Sequence, residues 1–139
     1  MGFWRQQQLS KLSAPVQGRT VDLAAVPAMT AATAVLALQP SNDAVYSPVN
    51  GEVLALTSQR IKFQALDGRQ YWLRLAAGAT QLVGQFEWQV RVGDTVSPIT
   101  LLGTLSIAAV DSAVVVCDEL IPVARRSAHG RGLVAQLLG

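Results

Sequence analysis

The sequence predicts an all-β chain of many short strands, a sandwich or flattened barrel, and three observations carry that prediction. Short runs of alternating apolar and polar residues recur between Gly, Pro, Asn and Asp punctuation, the pattern of half-buried strands joined by turns. Two such runs, 60–66 and 70–75, flank Asp67-Gly68. That dipeptide is a strong hairpin signal, since a type I′ turn needs positive φ at both central residues. Finally, the phrase Pro-Val-x-Gly occurs at residues 15–18 and again at 48–51, an offset of 33 residues, each followed at the same spacing by a leucine, Leu23 or Leu56. Such a recurrence marks an internal pseudo-repeat.

Taken in order, residues 1–12 form a tail, and residues 13–139 one β domain. The tail reads as a short helix grouping Phe3, Trp4, Leu9 and Leu12. An apolar face beside positive charge suits a membrane surface or a partner, but Arg5 and Lys11 are too few for firm attachment. A frayed end with Trp4 against the body is the preferred reading, leaving weak membrane contact at most. Residues 19–23 read as a strand, Pro27 and residues 28–33 as a loop, 34–38 as a short apolar strand, 39–43 as a turn, and 52–56 as the strand after the second Pro-Val-x-Gly. Beyond the central hairpin, 81–84 is a connection and 86–90 alternates large and polar residues. Residues 90–98 read as strand, Gly93-Asp94 turn, strand. Residues 99–107 continue as strand, with Gly103 marking a bulge or a close backbone approach. The β-branched run 113–117 reads as a central strand buried on both faces. Residues 118–139 lose this rhythm: Arg125-Arg126 and His129-Gly130-Arg131-Gly132 suggest a solvated loop, and 133–138 a short terminal helix or strand.

Composition narrows the function classes. With 139 residues, half of them hydrophobic and 14% charged, the chain is long enough and apolar enough for one real core. The formal net charge is only +2, and no Lys/Arg cluster exceeds Arg125-Arg126, so a nucleic-acid footprint is not expected. Cys117 stands alone, which excludes a disulfide framework and a cysteine metal site and suggests a buried small hydrophobe. No signal-peptide core, myristoylation pattern or membrane-length apolar run is present, and the cytoplasm is the expected compartment.

Four phrases in fixed order, SAPVQGRTVDLAAVP, VYSPVNGEVLAL, TSQRIKFQALDGRQYWLRL and VRVGDTVSP, resemble the glucose-type enzyme IIA domain of the bacterial phosphoenolpyruvate:sugar phosphotransferase system. The resemblance spans roughly residues 13–120. It implies a flattened antiparallel β-sandwich with duplicated hairpin motifs, and a phosphoryl relay from the carrier HPr, through one histidine assisted by a second, to the permease's B domain. Imidazole suits that work because its neutral nitrogen is nucleophilic near pH 7.

Here the resemblance implies lost chemistry. The supporting histidine lies in a T-G-H-A-like phrase, which aligns on Thr57-Ser58-Gln59-Arg60 and puts Gln59 in its place. The acceptor lies in a V-H-x-G-like phrase, which aligns on Leu73-Arg74-Leu75-Ala76 and puts Arg74 in its place; the Gly and Asp that follow in the family are replaced by Ala76 and Gly78. Arginine never loses its proton and cannot be a nucleophile, and glutamine cannot shuttle protons. No catalytic residue is therefore assigned. The expectation is a non-phosphorylatable binding or regulatory protein without cofactor or metal, docking protein partners through Gln59, Arg60, Trp72 and Arg74. Those partners would be phosphotransferase components, or the transporters and enzymes that the family's unphosphorylated form inhibits.

Alternatives stand beside this reading. Arg74 next to Gln59 could hold an anion or an acidic partner residue, or simply pair with a carboxylate such as Glu52 or Asp94. Lys62 reads as a solvated strand charge, and Trp72 and Trp88 as packing residues. A working phosphocarrier would need another acceptor, such as His129, the one histidine. Zinc peptidases of the lysostaphin type need several His and Asp ligands, and biotinyl or lipoyl carriers need a lysine at a hairpin tip; neither requirement is met.

Overall fold

A computed structural model describes residues 12–77, 84–107 and 113–122. It is nearly all-β: β1 (Gly18–Thr20), a 3-10 turn (Leu23–Ala25), β2 (Ala32–Pro40), β3 (Ala44–Tyr46), β4 (Gly51–Thr57), β5 (Arg60–Ala65), β6 (Gln70–Ala77), β7 (Gly84–Trp88), β8 (Thr95–Val96), β9 (Leu101–Ile107) and β10 (Ala113–Leu120). Among the described residues no helix is long and apolar enough to cross a membrane. Seven strands form one antiparallel sheet in the order β1-β2-β10-β6-β5-β4-β8, and three form a second in the order β3-β9-β7. The core lies between them, where Val45, Phe86 and Leu102 of the small sheet meet Val53, Ile61, Phe63, Leu73 and Val115 of the large one. The expected antiparallel β-sandwich is the fold found.

The repeated phrase is a repeated structure. Pro15 and Pro48 are fully buried, and the bonds around them are reciprocal: the Ser13 N–H donates to the Pro48 carbonyl (2.8 Å) and the Tyr46 N–H to the Pro15 carbonyl (2.7 Å). Donor and acceptor exchange roles at the same 33-residue offset, as two copies of one hairpin motif facing each other would. Both glycines open a strand against a partner backbone, Gly18 across from Pro40 and Gly51 across from Ala65. A Cβ at Gly51 would lie 2.1 Å from the Gln64 carbonyl oxygen, so the position excludes any side chain.

Several expectations need correction. The central hairpin exists, but its turn is not type I′: among the described non-glycine residues only Ala31 has positive φ, while Gly68 sits at 90°. The Gly68 N–H donates to the Ala65 carbonyl and the Ala65 N–H to the Arg69 carbonyl, a three-residue loop with glycine at the bulge position. The first strand expected within 90–98 is a turn, in which the Asp94 carboxylate accepts from the Arg91 N–H (2.9 Å). Residues 21–25, partly expected as strand, close a 3-10 turn instead, because the Asp22 carboxylate caps the Ala24 N–H (3.0 Å). β3 had no signal: three residues beside a proline are too short to show a period. The expected tail helix, most of the 81–84 connection, and the region from Arg125 through His129 to residue 138 lie outside the described residues.

β10 is the central strand that its β-branched run suggests, paired with β2 on one side and β6 on the other. Cys117 within it is fully buried, and burial pushes its thiol well above the ordinary value, with the charges of Asp118 and Glu119 adding. A thiol so placed is inert. The native protein should therefore resist thiol-specific reagents and label only at the rate of unfolding. Because the folded chain keeps a proton that the unfolded chain releases above about pH 8.5, stability is unaffected below that pH and falls as pH rises through it. Unfolding free energies at pH 8.5 and 10 should differ by about 2 kcal/mol more in the parent than in Cys117→Ala.

Candidate functional site

The site proposed from the sequence lies at the open end of the β5–β6 hairpin. Alternation along these strands sends Ile61, Phe63, Leu73 and Leu75 into the core, and so sends Arg60, Lys62, Trp72 and Arg74 to the outer face. The register confirms the grouping: Arg60 is opposite Arg74 and Lys62 is opposite Trp72. β10 adds Val116 opposite Arg74 and Asp118 opposite Trp72.

Two arginines directly across from each other would repel, and the structure separates them by giving each a different partner. The Arg74 Nε donates to Asp118 Oδ2 at 2.6 Å, and Nη2 reaches Asp118 Oδ1 at 3.3 Å, a two-pronged pair one diagonal step along the sheet. Nη2 also donates to the Pro27 carbonyl at 2.7 Å. The side chains are 12% and 1% exposed, so this is a buried ion pair, tied to the loop that follows the 3-10 turn. Val21 and Val26, on either side of that turn, pack on a small apolar cluster of Ala37, Ala76 and Val116, in which Val116 lies opposite Arg74. The expected partners of Arg74, Glu52 or Asp94, are thus replaced by Asp118. Sequence reasoning missed it because Asp118 ends a run of β-branched residues 44 positions away, and only strand pairing brings it close.

Arg60 instead stacks on Trp72, its guanidinium carbon 4.2 Å from the ring centroid, and Lys62 Nζ stands 5.6 Å from the same centroid. Trp72 is therefore a platform for cations on the outer face of the sheet, not simply a packing residue. Trp88 does pack: it stacks on Phe86 with centroids 4.4 Å apart, and its indole N–H donates to the Thr57 carbonyl (2.7 Å).

The structure brings the backbones of Gln59 and Arg74 close, since the Leu75 N–H donates to the Gln59 carbonyl (3.2 Å). It does not join their side chains. Gln59 Nε2 donates to the Gly84 carbonyl (2.7 Å), so the amide ties the β4–β5 turn to the start of β7, where the Phe86 N–H donates to the Ser58 carbonyl. The shared Gln59/Arg74 depression expected from the sequence is not what these contacts describe: one residue fastens the second sheet, the other the covering loop.

Elsewhere on the surface, a groove of about 210 Å³ at the turn end of the hairpin is lined by Val49, Asn50, Ala65, Leu66, Asp67 and Tyr71. It is smaller than the roughly 300–1,000 Å³ of ligand pockets. Among the described residues no group of three His, Cys, Asp or Glu side chains could hold a metal ion.

Comparison with known proteins gives one family. The model of the phosphoenolpyruvate-dependent sugar phosphotransferase system, EIIA 1, matches residues 10–127. A search of curated proteins found no match. The family match covers all ten strands, both copies of the Pro-Val-x-Gly motif and the hairpin that carries Gln59 and Arg74. The chain belongs to the EIIA 1 family of the phosphoenolpyruvate-dependent sugar phosphotransferase system.

Proposed function

We propose that this chain is a non-phosphorylatable member of its family, a cytoplasmic binding or regulatory protein that docks protein partners through the outer face of the β5–β6 hairpin. The observation that carries the reading is Arg74. In the place that the resemblance gives to the phosphoryl-accepting histidine stands a guanidinium that has no free electron pair and is bound to Asp118 and Pro27. Gln59, in the supporting place, offers a neutral amide that already donates to the Gly84 carbonyl and cannot act as a general acid or base. Both side chains act as fasteners where the relay needs a nucleophile and an acid. A family member in this condition would imitate the unphosphorylated state permanently, with partners among phosphotransferase components and regulated transporters or enzymes.

The test is incubation with phosphoenolpyruvate, the general phosphotransferase enzyme and HPr, followed by intact mass. No gain in mass is expected, while a histidine-containing family member run in parallel gains one phosphoryl group. A stoichiometric gain here, mapped by fragmentation to His129 or any other residue, would make the chain a working phosphocarrier and end this reading.

A further inference from the structure

We propose that Arg60 and Lys62, held on the Trp72 ring, form a recognition strip for an acidic segment of a partner protein, reading two carboxylates spaced as alternate residues of an extended chain. The proposal rests on the docking reading above and adds the partner's chemistry.

Charge is what selects the occupant. On this face Asp118 is fully committed to Arg74, which removes both from recognition. Glu52, exposed and opposite Gln64, borders the strip at its other end. Between them Arg60 and Lys62 make no ion pair within 4.0 Å among the described residues, so two positive charges on one sheet face lack internal partners. Both stand over a single ring, at 4.2 and 5.6 Å from its centroid. A cation over an indole is attracted by the ring's quadrupole and loses part of its rotamer freedom before any partner arrives. Trp and Arg are also the residues enriched among binding hot spots.

Spacing selects the pattern. Arg60 and Lys62 are two positions apart on β5, so their Cα atoms lie about 6.6 Å apart. Alternate side chains of an extended peptide share that interval and point the same way. A guanidinium offers a fork to the first carboxylate and an ammonium a point charge to the second. Two unpaired cations are too few to track a nucleic-acid backbone, whose affinity grows with each phosphate neutralised. They are equally few for an anionic bilayer, which is held by clusters of four to eight basic residues.

The test uses the full chain and a fluorescein-labelled extended peptide carrying glutamates at alternate positions, read by anisotropy at low ionic strength and by amide chemical-shift mapping. A peptide with glutamine at both positions is the comparison. The Glu peptide should bind at least about tenfold more tightly, with shifts confined to β5 and β6. Arg60→Glu/Lys62→Glu should remove that preference and favour a Lys peptide; Arg60→Gln/Lys62→Gln, whose folding is checked by thermal unfolding, should reduce both peptides to one weak affinity. Equal binding of the Glu and Gln peptides would overturn the proposal, as would tighter binding of single-stranded DNA or phosphatidylserine vesicles through the same two side chains. Shifts that map to β5–β6 but survive both double variants would sink the acidic-strip inference alone, leaving docking through this face intact. Shifts that map to another face would sink both.

Discussion

Arg74→Ala should lower the unfolding free energy by about 3–5 kcal/mol, the cost of leaving a buried charge without its partner. The physical reason is the asymmetry of the Arg74–Asp118 pair. Asp118 is 1% exposed and takes both prongs of the guanidinium, at 2.6 and 3.3 Å. Truncating the arginine strands that buried carboxylate without its partner and also removes the donor to the Pro27 carbonyl. Replacing both members, as Arg74→Met/Asp118→Leu, removes the demand along with the supply and should come within about 1 kcal/mol of the parent, or exceed it. Arg74→Lys should fall between, because an ammonium cannot serve both carboxylate oxygens and the loop carbonyl in one planar fork. Urea unfolding of the three variants, with Arg74→Met and Asp118→Leu to complete the double-mutant cycle, measures the coupling. A cost below about 1 kcal/mol for Arg74→Ala would mean the pair behaves as a solvated surface ion pair, and its role as an internal fastener would fall.

The second large effect concerns the repeated motif. Gly51→Ala should cost about 2–4 kcal/mol, whereas Gly18→Ala should cost clearly less. Each added Cβ would meet a carbonyl oxygen, Gln64 at 2.1 Å or Gln39 at 1.9 Å, closer than non-bonded atoms tolerate. The two sites differ in what can yield. β4 is clamped between β5 and β8, and Gly51 is buried, so relief requires moving a paired strand in the middle of a sheet. β1 is three exposed residues at the sheet edge, and it can move away from β2 with little loss. Thermal unfolding of the two single variants decides it, and equal costs would contradict this account of how the duplicated motif is anchored.

The consequences for function follow from the same contacts. Arg74 fastens a loop and Gln59 fastens the second sheet, so each side chain has a structural task of its own. In the proposed reading these two residues serve stability, and recognition falls to Arg60, Lys62 and Trp72.

Much of this molecule is legible in its order of residues, because local physics carries it. Alternation places Ile61, Phe63 and Leu73 in the core and Arg60, Lys62 and Trp72 outside. A β-branched run can only be content in the middle of a sheet, which is where β10 lies. The recurrence of Pro-Val-x-Gly marks the two facing motifs, since buried proline and side-chain-free glycine are needed at both. Turn geometry was less legible: Asp-Gly signals a hairpin, but the choice between a two-residue turn and a loop with a glycine bulge depends on how the flanking strands register. What tertiary structure alone decided is the meaning of Arg74 and Gln59. Their partners, Asp118, Pro27 and Gly84, lie 25 to 47 positions away in the chain. No periodicity reports a pairing that exists only once β10 has docked on β6 and β7 has crossed the end of the hairpin. Residue type determined that neither is an imidazole; the fold determined that both are used as fasteners.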